Sequence, residues 1–537
     1  MKARPQHGFL IGCGEAGQPE ASATTMGSKA WNLLRMAGAG LRVPPAFVLG
    51  THWTGNPDAG VEHAFASGLP ALEATVGRRL GNAADPLIVS VRSGAPVSMP
   101  GMMETLLNIG LSDLTLPGFL RQTGNPRLVW DAYRRLVASY GEVVAGLPGA
   151  LFEGELAKVT QGRDERSLDF SELRELTRRF LDLYAAGAGR PFPQAPCDQL
   201  AEAVRAVFAS WNADKAATYR RLNGIAADMG TAVTVQAMVF GNCGHGSGAG
   251  VGFTRNPATG EPGLWVDFLS NAQGEDVVSG RRSAHGHEAL AQRLPAAWTD
   301  LKNAAGALES LFGDMQDFEF TVQDGVLHLL QSRTGKRTPR AAARIALDLM
   351  DEGVIDADTA RRRTEGLDEG DLHTVRLIFK GRTGPAAPLA IGMCASAGIA
   401  SGEIAFDGER VAARVKEGAR VILVRSDAET ADIGALEHAA GLLTRNGART
   451  SHAAVVARQL GKVCVVGCDA LRIDLGARRL QIGDQRFDEG EAITLDGNTG
   501  GIHAGIVRSE RVPDTALLGR LQALRAGPAR RSRKKGG

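Results

Sequence analysis

No Cys-x-x-Cys pair occurs among the six cysteines, which stand at 13, 197, 243, 394, 464 and 468. Zinc ribbons and thioredoxin-type redox chemistry therefore find no support. Cys464 and Cys468 read as small buried residues rather than as ligands. Aromatics are scarce, at 5%. There is no run of about 18 apolar residues and no apolar leader core at the N-terminus, so neither a membrane span nor a secretory leader is expected. A reducing cytoplasm is the expected location. Charge of one sign is lacking as well: the formal net charge is +2, which gives no electrostatic argument for nucleic acid or a membrane surface. The P-loop pattern GxxxxGK[ST] is absent. Gly12-Cys13-Gly14-Glu15-Ala16-Gly17 matches GxGxxG, but no clear helix or acidic partner follows in a βαβ unit, so Rossmann-type binding is set aside.

What the chain does have is length and glycine. Its 537 residues are too many for one hydrophobic core and suggest about three domains. With 68 glycines, 44% hydrophobic and 22% charged residues, it reads as a turn-rich α/β protein. Helical and strand patterns alternate through most of it, and no internal repeat appears. Residues 87–92 (LIVSVR) read as a buried strand, and 231–240 (TAVTVQAMVF) alternate like one. Leu200, Val204, Val207, Phe208 and Trp211 recur at helical spacing, which predicts a helix over 198–223. Residues 338–352 predict another, with Thr338 as N-cap and Pro339 in the first turn. Gly and Pro cluster at 380–388, a domain boundary. The basic, aperiodic end, 524–537, reads as a solvated tail rather than a nucleic-acid arm.

The most informative segment is Gly441–Gly467, GLLTRNGARTSHAAVVARQLGKVCVVG. GLLT predicts a strand end, Asn446-Gly447 a turn, and Thr450 or Ser451 the N-cap of a helix that continues AAVVAR before a second strand, VCVVG. His452 then falls in the first helical turn. Unpaired backbone N–H groups and the helix dipole favour a phosphate there, and imidazole is a competent nucleophile near neutral pH.

A second group of residues suits a polyphosphate. Lys29 opens a helix after Gly27. Arg92 ends an apolar strand and precedes SGAPVSMPG, whose small residues let backbone N–H groups approach phosphate. In MQDFEFTVQDGVLHLLQSR, Asp317 and Glu319 share one strand face, while Phe318 and Phe320 take the other. A two-residue turn at Asp324-Gly325 would put Gln331 and Arg333 on the opposite face from the carboxylates. An odd-length loop with a bulge at Gly325 would gather all four, and that arrangement is expected. The plainer reading is an amphipathic hairpin with a charged outer face.

The histidine segment resembles the phosphohistidine motif of pyruvate, phosphate dikinases and related phosphoenolpyruvate-using enzymes. Residues 27–47, 87–111, 230–280 and 315–337 resemble the ATP-grasp nucleotide domain of the same family, in the same order. The resemblance runs from about residue 8 to about residue 508. One departure is at the motif itself: the family usually has Gly-Gly-Met-Thr-Ser-His, and here Gly447-Ala448-Arg449-Thr450-Ser451-His452 stands. Thr450 matches a regulatory phosphorylation position of plant members.

The resemblance implies an α/β (α+β) multidomain fold: an ATP-grasp nucleotide-binding domain over 1–337, a helical linker over 338–388, a swivelling β/β/α phosphohistidine domain over 389–509, and a disordered basic tail over 510–537. The linker would serve as hinge. It implies ATP and Mg2+ as cofactors. Lys29, Arg92, Glu275, Asp317, Glu319, Gln331 and Arg333 would bind the nucleotide. Asp317, Glu319 and Gln331 would hold the metal. His452, Arg92 and Arg333 would be catalytic. ATP, inorganic phosphate and His452 would yield AMP, pyrophosphate and phosphohistidine. The family's β/α barrel that binds pyruvate and phosphoenolpyruvate is expected to be absent, so a separate barrel protein would receive the phosphate; no nucleic-acid or membrane partner is expected, and the oligomeric state is left open. Two other readings stand beside this one: a dikinase acting on another small acceptor, and a non-catalytic nucleotide-binding regulator.

Overall fold

The computed structural model describes residues 8–13, 18–97, 99, 102–278, 287–379, 387–427, 432–447, 449 and 452–526. They form two compact units. The first comprises residues 1–247 and 321–332, the second residues 248–320 and 333–537.

In the first unit a five-stranded antiparallel sheet runs in the order Gly8–Ile11, Ala46–Leu49, Ala232–Ala237, Val89–Gly94, Thr105–Ile109. Its middle strands are buried along nearly their whole length. Ser90, Ser93, Thr234 and Gln236 are buried in these strands along with the apolar residues. A helical layer covers the sheet. Helix Pro126–Val143 starts on Asn125, whose side chain accepts from the Leu128 N–H, with Pro126 at the first turn. Helix Phe170–Ala188 begins in a capping box between Asp169 and Glu172. Their inner faces join the sheet in one core that includes Phe47, Val91, Tyr133, Tyr140, Phe180 and Phe208. The helix expected over 198–223 is two helices, Pro196–Ala209 and Asp214–Leu222. The break falls at Ala213, which is extended at φ −62° and ψ 146°. Trp211, 1% exposed, anchors it there by donating from its indole N–H to the Ala227 carbonyl at 3.0 Å.

In the second unit the strands Gly248–Arg255 and Pro262–Ser270 pair antiparallel beside Gln316–Gln323. Further along, an eight-stranded mixed sheet has four parallel strands at its centre: Ile399–Ala405, Val421–Arg425, Gly441–Thr444 and Val463–Val466. The helices Gly408–Lys416, Ile433–His438 and His452–Gln459 supply the crossovers, and one core joins Val411, Leu436, Ala454 and Ala457 to the sheet. A three-stranded sheet, Leu471–Asp474, Arg479–Ile482 and Gln485–Asp488, packs Leu471, Leu480 and Phe487 into a separate core with Ile404, Ile422 and Leu443. Those layers are α/β/β, as expected of a β/β/α domain.

One expectation is corrected. The segment from 510, expected as a disordered tail, is ordered through residue 526. Strand Arg508–Pro513 pairs with His373–Ile378, and Thr515–Ala526 is a helix. Leu517, Leu521 and Leu524 line one helical face and pack on Ala343, Leu347, Ala360 and Leu372. Arg340 clamps Asp514 through two bonds of 3.0 and 2.8 Å, and Arg520 holds Asp348 and Asp351. The basic composition of the end masked this apolar stripe. The expected linker helices, Pro339–Asp351 and Ala357–Arg363, are thus part of a small core with the C-terminal helix. Residues 380–386, at the expected boundary, and 527–537 lie outside the described residues.

Candidate functional site

The expected site residues fall in both units. Lys29, Arg92 and Gln331 belong to the first. Glu275, Asp317, Glu319, Arg333 and His452 belong to the second.

In the first unit, Gly27 breaks helix Ala23–Gly38 at φ 76°, so Lys29 rides on the turn after a kink. Only glycine suits this point: a Cβ there would lie 1.9 Å from the Gly94 carbonyl oxygen. The close approach lets Ser28 donate to the Ala95 carbonyl through its N–H at 3.0 Å and its hydroxyl at 3.1 Å. The helix start bearing Lys29 is thereby joined to the small-residue loop after Arg92. Arg92 donates to the Leu330 carbonyl at 3.4 Å, and Asn32 to the Ser332 carbonyl at 2.8 Å. These bonds grip the strand on either side of Gln331, which is buried.

The hairpin turn departs from expectation. Only Asp324 and Gly325 separate strands Gln316–Gln323 and Val326–Thr334, and both are left-handed, at φ 50° and 81°. It is a two-residue turn of the type Asp-Gly favours, not an odd-length loop with a bulge. Its N–H groups are satisfied locally: Gly325 donates to Gly246 at 2.8 Å and Asp324 to the Ser247 hydroxyl at 3.0 Å. The turn alone would put Gln331 and Arg333 on the face opposite the two carboxylates, but strand Val326–Thr334 has nine residues to the eight of Gln316–Gln323, and Gly335 donates to the Met315 carbonyl at 3.0 Å, one residue out of the register that the turn sets. Arg333 reaches Asp317 all the same, Nε to Oδ2 at 2.8 Å.

In the second unit the sheet has two contrasting faces. On one, Phe318 and Phe320 lie over Gly252 and Gly250, where a Cβ would meet the rings at 2.8 and 2.4 Å, and Phe268 stacks on Phe320. Alternation puts Asp317 and Glu319 on the other face, together with Val251 and Phe253 and their cross-strand partners Asp267 and Trp265. Asp317 is 5% exposed and Asp267 is 1% exposed. Burial pushes the Asp317 carboxyl up, Arg333 opposes this, and the neighbouring Glu319 charge adds to it. Burial also works against the Arg333 charge, but Asp317 and Glu319 raise it on balance.

Two arginines from the histidine segment meet this face. Arg449 donates to Asp267 at 3.0 Å and lies over the Trp265 ring at 4.8 Å. Arg458, 7% exposed, lies over Phe253 at 5.2 Å and Trp265 at 5.9 Å. Burial depresses its affinity for the proton, and the charges of Asp317 and Asp267 support it.

Histidine 452 is the first residue of helix His452–Gln459, just past the carboxyl end of the parallel strand Gly441–Thr444. In parallel sheets this is where ligands bind. The turn before it is laid on the neighbouring strand by Arg445 donating to Arg425 at 3.1 Å and Asn446 to Ser426 at 2.9 Å. Gly447 takes φ 118°. The His452 side chain, Ala448 and the expected caps Thr450 and Ser451 lie outside the described residues. Glu275 is exposed in the first turn of the short helix Gly274–Val278.

Residues 59–295 match the family described as pyruvate phosphate dikinase, AMP/ATP-binding domain, and residues 417–500 match the PEP-utilising enzyme mobile domain. The pyruvate, phosphate dikinase of Clostridium symbiosum is 42% identical over 501 residues, covering 90% of this chain and 57% of that protein. Pyruvate, phosphate dikinase 1, chloroplastic, of Oryza sativa subsp. japonica is 41% identical over 528 residues, covering 96% and 55%. The chain is of the pyruvate, phosphate dikinase type.

This dikinase-type chain spans about half the length of the curated relatives it matches (57% and 55%). Its mobile-domain match takes in His452, and its AMP/ATP-binding match takes in Arg92, Asp267 and Glu275. No helix among its described residues is long and apolar enough to cross a membrane. As to a metal, Asp317 and Glu319 offer hard carboxylate oxygens side by side. No group of three or more His, Cys, Asp or Glu is gathered among the described residues. That donor set fits Mg2+, which is commonly held by one or two carboxylates with substrate phosphates and water completing the shell.

Sequence reasoning missed Asp267 and Arg458. A signal existed for each: Asp267 follows Trp265 at the two-residue spacing of a strand face, and Arg458 is a lone charge inside the apolar run AAVVARQL.

Proposed function

We propose that this chain transfers the β-phosphoryl group of ATP to His452 and the γ-phosphoryl group to inorganic phosphate, releasing AMP and pyrophosphate. One observation carries the reading: within one unit, the segment bearing His452 is seated through Arg449 and Arg458 on the sheet face that presents Asp317 and Glu319. A phosphoryl donor held by those carboxylates through Mg2+ would lie next to the histidine helix. Residues 1–337 bind nucleotide in this reading, the candidates being Lys29, Arg92 and Gln331 in the first unit and Glu275 and Arg333 in the second. Residues 389–509 carry the phosphate.

The chemistry asks the residues for charge and placement. Asp317 and Glu319 would hold Mg2+, which would supply neutralisation of phosphate charge. Arg92 and Arg333 offer planar guanidinium donors to phosphoryl oxygens. The N-terminus of the histidine helix favours the phosphorylated imidazole through the helix dipole. Among the described residues there is no β/α barrel. Onward transfer to pyruvate would need a barrel that is not among the described residues.

The test is incubation with β-labelled ATP, Mg2+ and phosphate, beside His452→Ala. Acid-labile label on the wild type alone supports the reading. Nucleotide binding without label on either protein overturns it in favour of a regulator.

A further inference from the structure

Arg449 ties the histidine segment to a distant strand. Its guanidinium joins two segments 182 residues apart, donating Nε to Oδ1 of Asp267 at 3.0 Å. Asp267 is 1% exposed, whereas the Arg449 side chain is 19% exposed. The guanidinium also covers the Trp265 ring, at 4.8 Å. Trp265 and Asp267 are two apart on one strand, so they present a flat apolar wall with a carboxylate at its edge. A planar guanidinium satisfies both parts at once, by stacking and by hydrogen bonding. Beneath it, Arg458 donates to the Arg449 carbonyl at 3.1 Å and to the Ala395 carbonyl at 2.6 Å. Its own ring contacts are with Phe253 and Trp265. The main chain at Arg449 is therefore gripped from within the mobile domain, while the side chain is gripped by the sheet that carries Asp317.

We propose that Arg449 is a positioning residue: through Asp267 and Trp265 it seats the segment immediately before His452 on the carboxylate face of that sheet, and breaking this pair frees the segment from it. The inference rests on the reading of His452 as the phosphoryl acceptor only for its effect on rate; the seating itself needs no chemistry. The asymmetry of the pair sets the direction of the effects. Removing the arginine leaves a buried carboxylate without this donor, which is the more damaging half. Converting the carboxylate to an amide leaves an arginine that can turn towards water.

Hydrogen exchange without nucleotide tests the seating directly. Peptides covering 262–270 and 441–447 should exchange at least about tenfold faster in Arg449→Met than in wild type, with Asp267→Asn less affected, as expected for loss of a desolvated charge pair. The exchanged pair, Arg449→Asp with Asp267→Arg, should recover part of the protection. Arg449→Lys should recover less than wild type, because a lysine cannot stack and fork together. In the labelling assay, Arg449→Met should slow His452 phosphorylation while the ATP concentration for half-maximal rate stays unchanged. Unchanged protection in both single variants overturns the proposal even if the protein labels well. Lost protection in Arg449→Met, beside a wild type that does not label at all, would support the seating and sink the phosphotransfer reading instead. A uniform rise in exchange across the whole second unit would mean general unfolding and would also overturn it.

Discussion

The Arg458 guanidinium donates to the main-chain carbonyl of Arg449 at 3.1 Å, spanning the start of the histidine helix. A side chain within the helix thus fixes the backbone three residues before His452. Two bonds to the Ala395 carbonyl, at 3.2 and 2.6 Å, tie the same group to the edge of the eight-stranded sheet. Arg458→Ala leaves these carbonyls without their donor and is expected to destabilise the second unit by about 2 kcal/mol. Urea unfolding, followed by a probe in that unit, measures it. An unchanged midpoint would show that the carbonyls are satisfied otherwise.

Gly27→Ala tests the approach of the Lys29 turn to the Arg92 loop. The added methyl meets the Gly94 carbonyl, and φ 76° is unfavourable for alanine. The Ser28–Ala95 bonds must then break or stretch. The expected outcome is at least about tenfold weaker ATP binding by calorimetry, together with roughly 1–3 kcal/mol lower stability. Normal binding in a folded variant would remove this loop from the nucleotide site.

Chelation of Mg2+ and Asp317→Asn should act on the same step. Losing an electrostatic contact made in the transition state typically lowers a rate about 10²–10³-fold. Asp317→Asn is expected to slow His452 labelling by that order, and EDTA should abolish it in the wild type. Full labelling in EDTA would exclude the metal role of Asp317 and Glu319.

Acid should loosen the hairpin strand that carries Gln331. Burial, with the nearby Arg42 charge adding to it, pushes the His328 imidazole down from 6.5 to about 4. The folded state therefore resists protonation there. Its contribution to stability is complete above pH 6.5 and is lost as the pH falls towards 4. His328→Gln should flatten the pH dependence of the urea midpoint of the first unit between those values. An identical slope in both proteins would refute the assignment.

The C-terminal helix offers a test of packing. Leu521 is 2% exposed against Ala343 and Leu347. Leu521→Ala is expected to cost about 2–3 kcal/mol. Proteolysis between residues 510 and 526 should accelerate accordingly, whereas a disordered segment would be cut equally in both proteins.

Much of the histidine segment was legible in the sequence because its signals are local. The strand GLLT, the turn at Asn446-Gly447, the helix and the strand VCVV follow one another within 27 residues. The cap of helix Pro339–Asp351 was equally local: the Thr338 side chain accepts from Ala341. The C-terminal helix was missed although Leu517, Leu521 and Leu524 stand at helical spacing, because the arginines around them dominated the composition. The bulge at Gly325 was a different kind of error. Asp-Gly by itself favours the two-residue turn found, and polar residues along the strands do not specify the turn between them.

By itself, the sequence determined which residues could do chemistry and on which elements they stand: backbone dihedral preferences and side-chain periodicity act over a few residues. It also determined that Asp317 and Glu319 share a face, since alternation along a strand requires it. Only the tertiary structure decided which partners that face receives. Arg449 and Asp267 are 182 residues apart, and nothing local to either specifies the other. Their pairing follows from the packing of the mobile-domain elements against the nucleotide-side sheet, where a buried carboxylate must be matched by a donor.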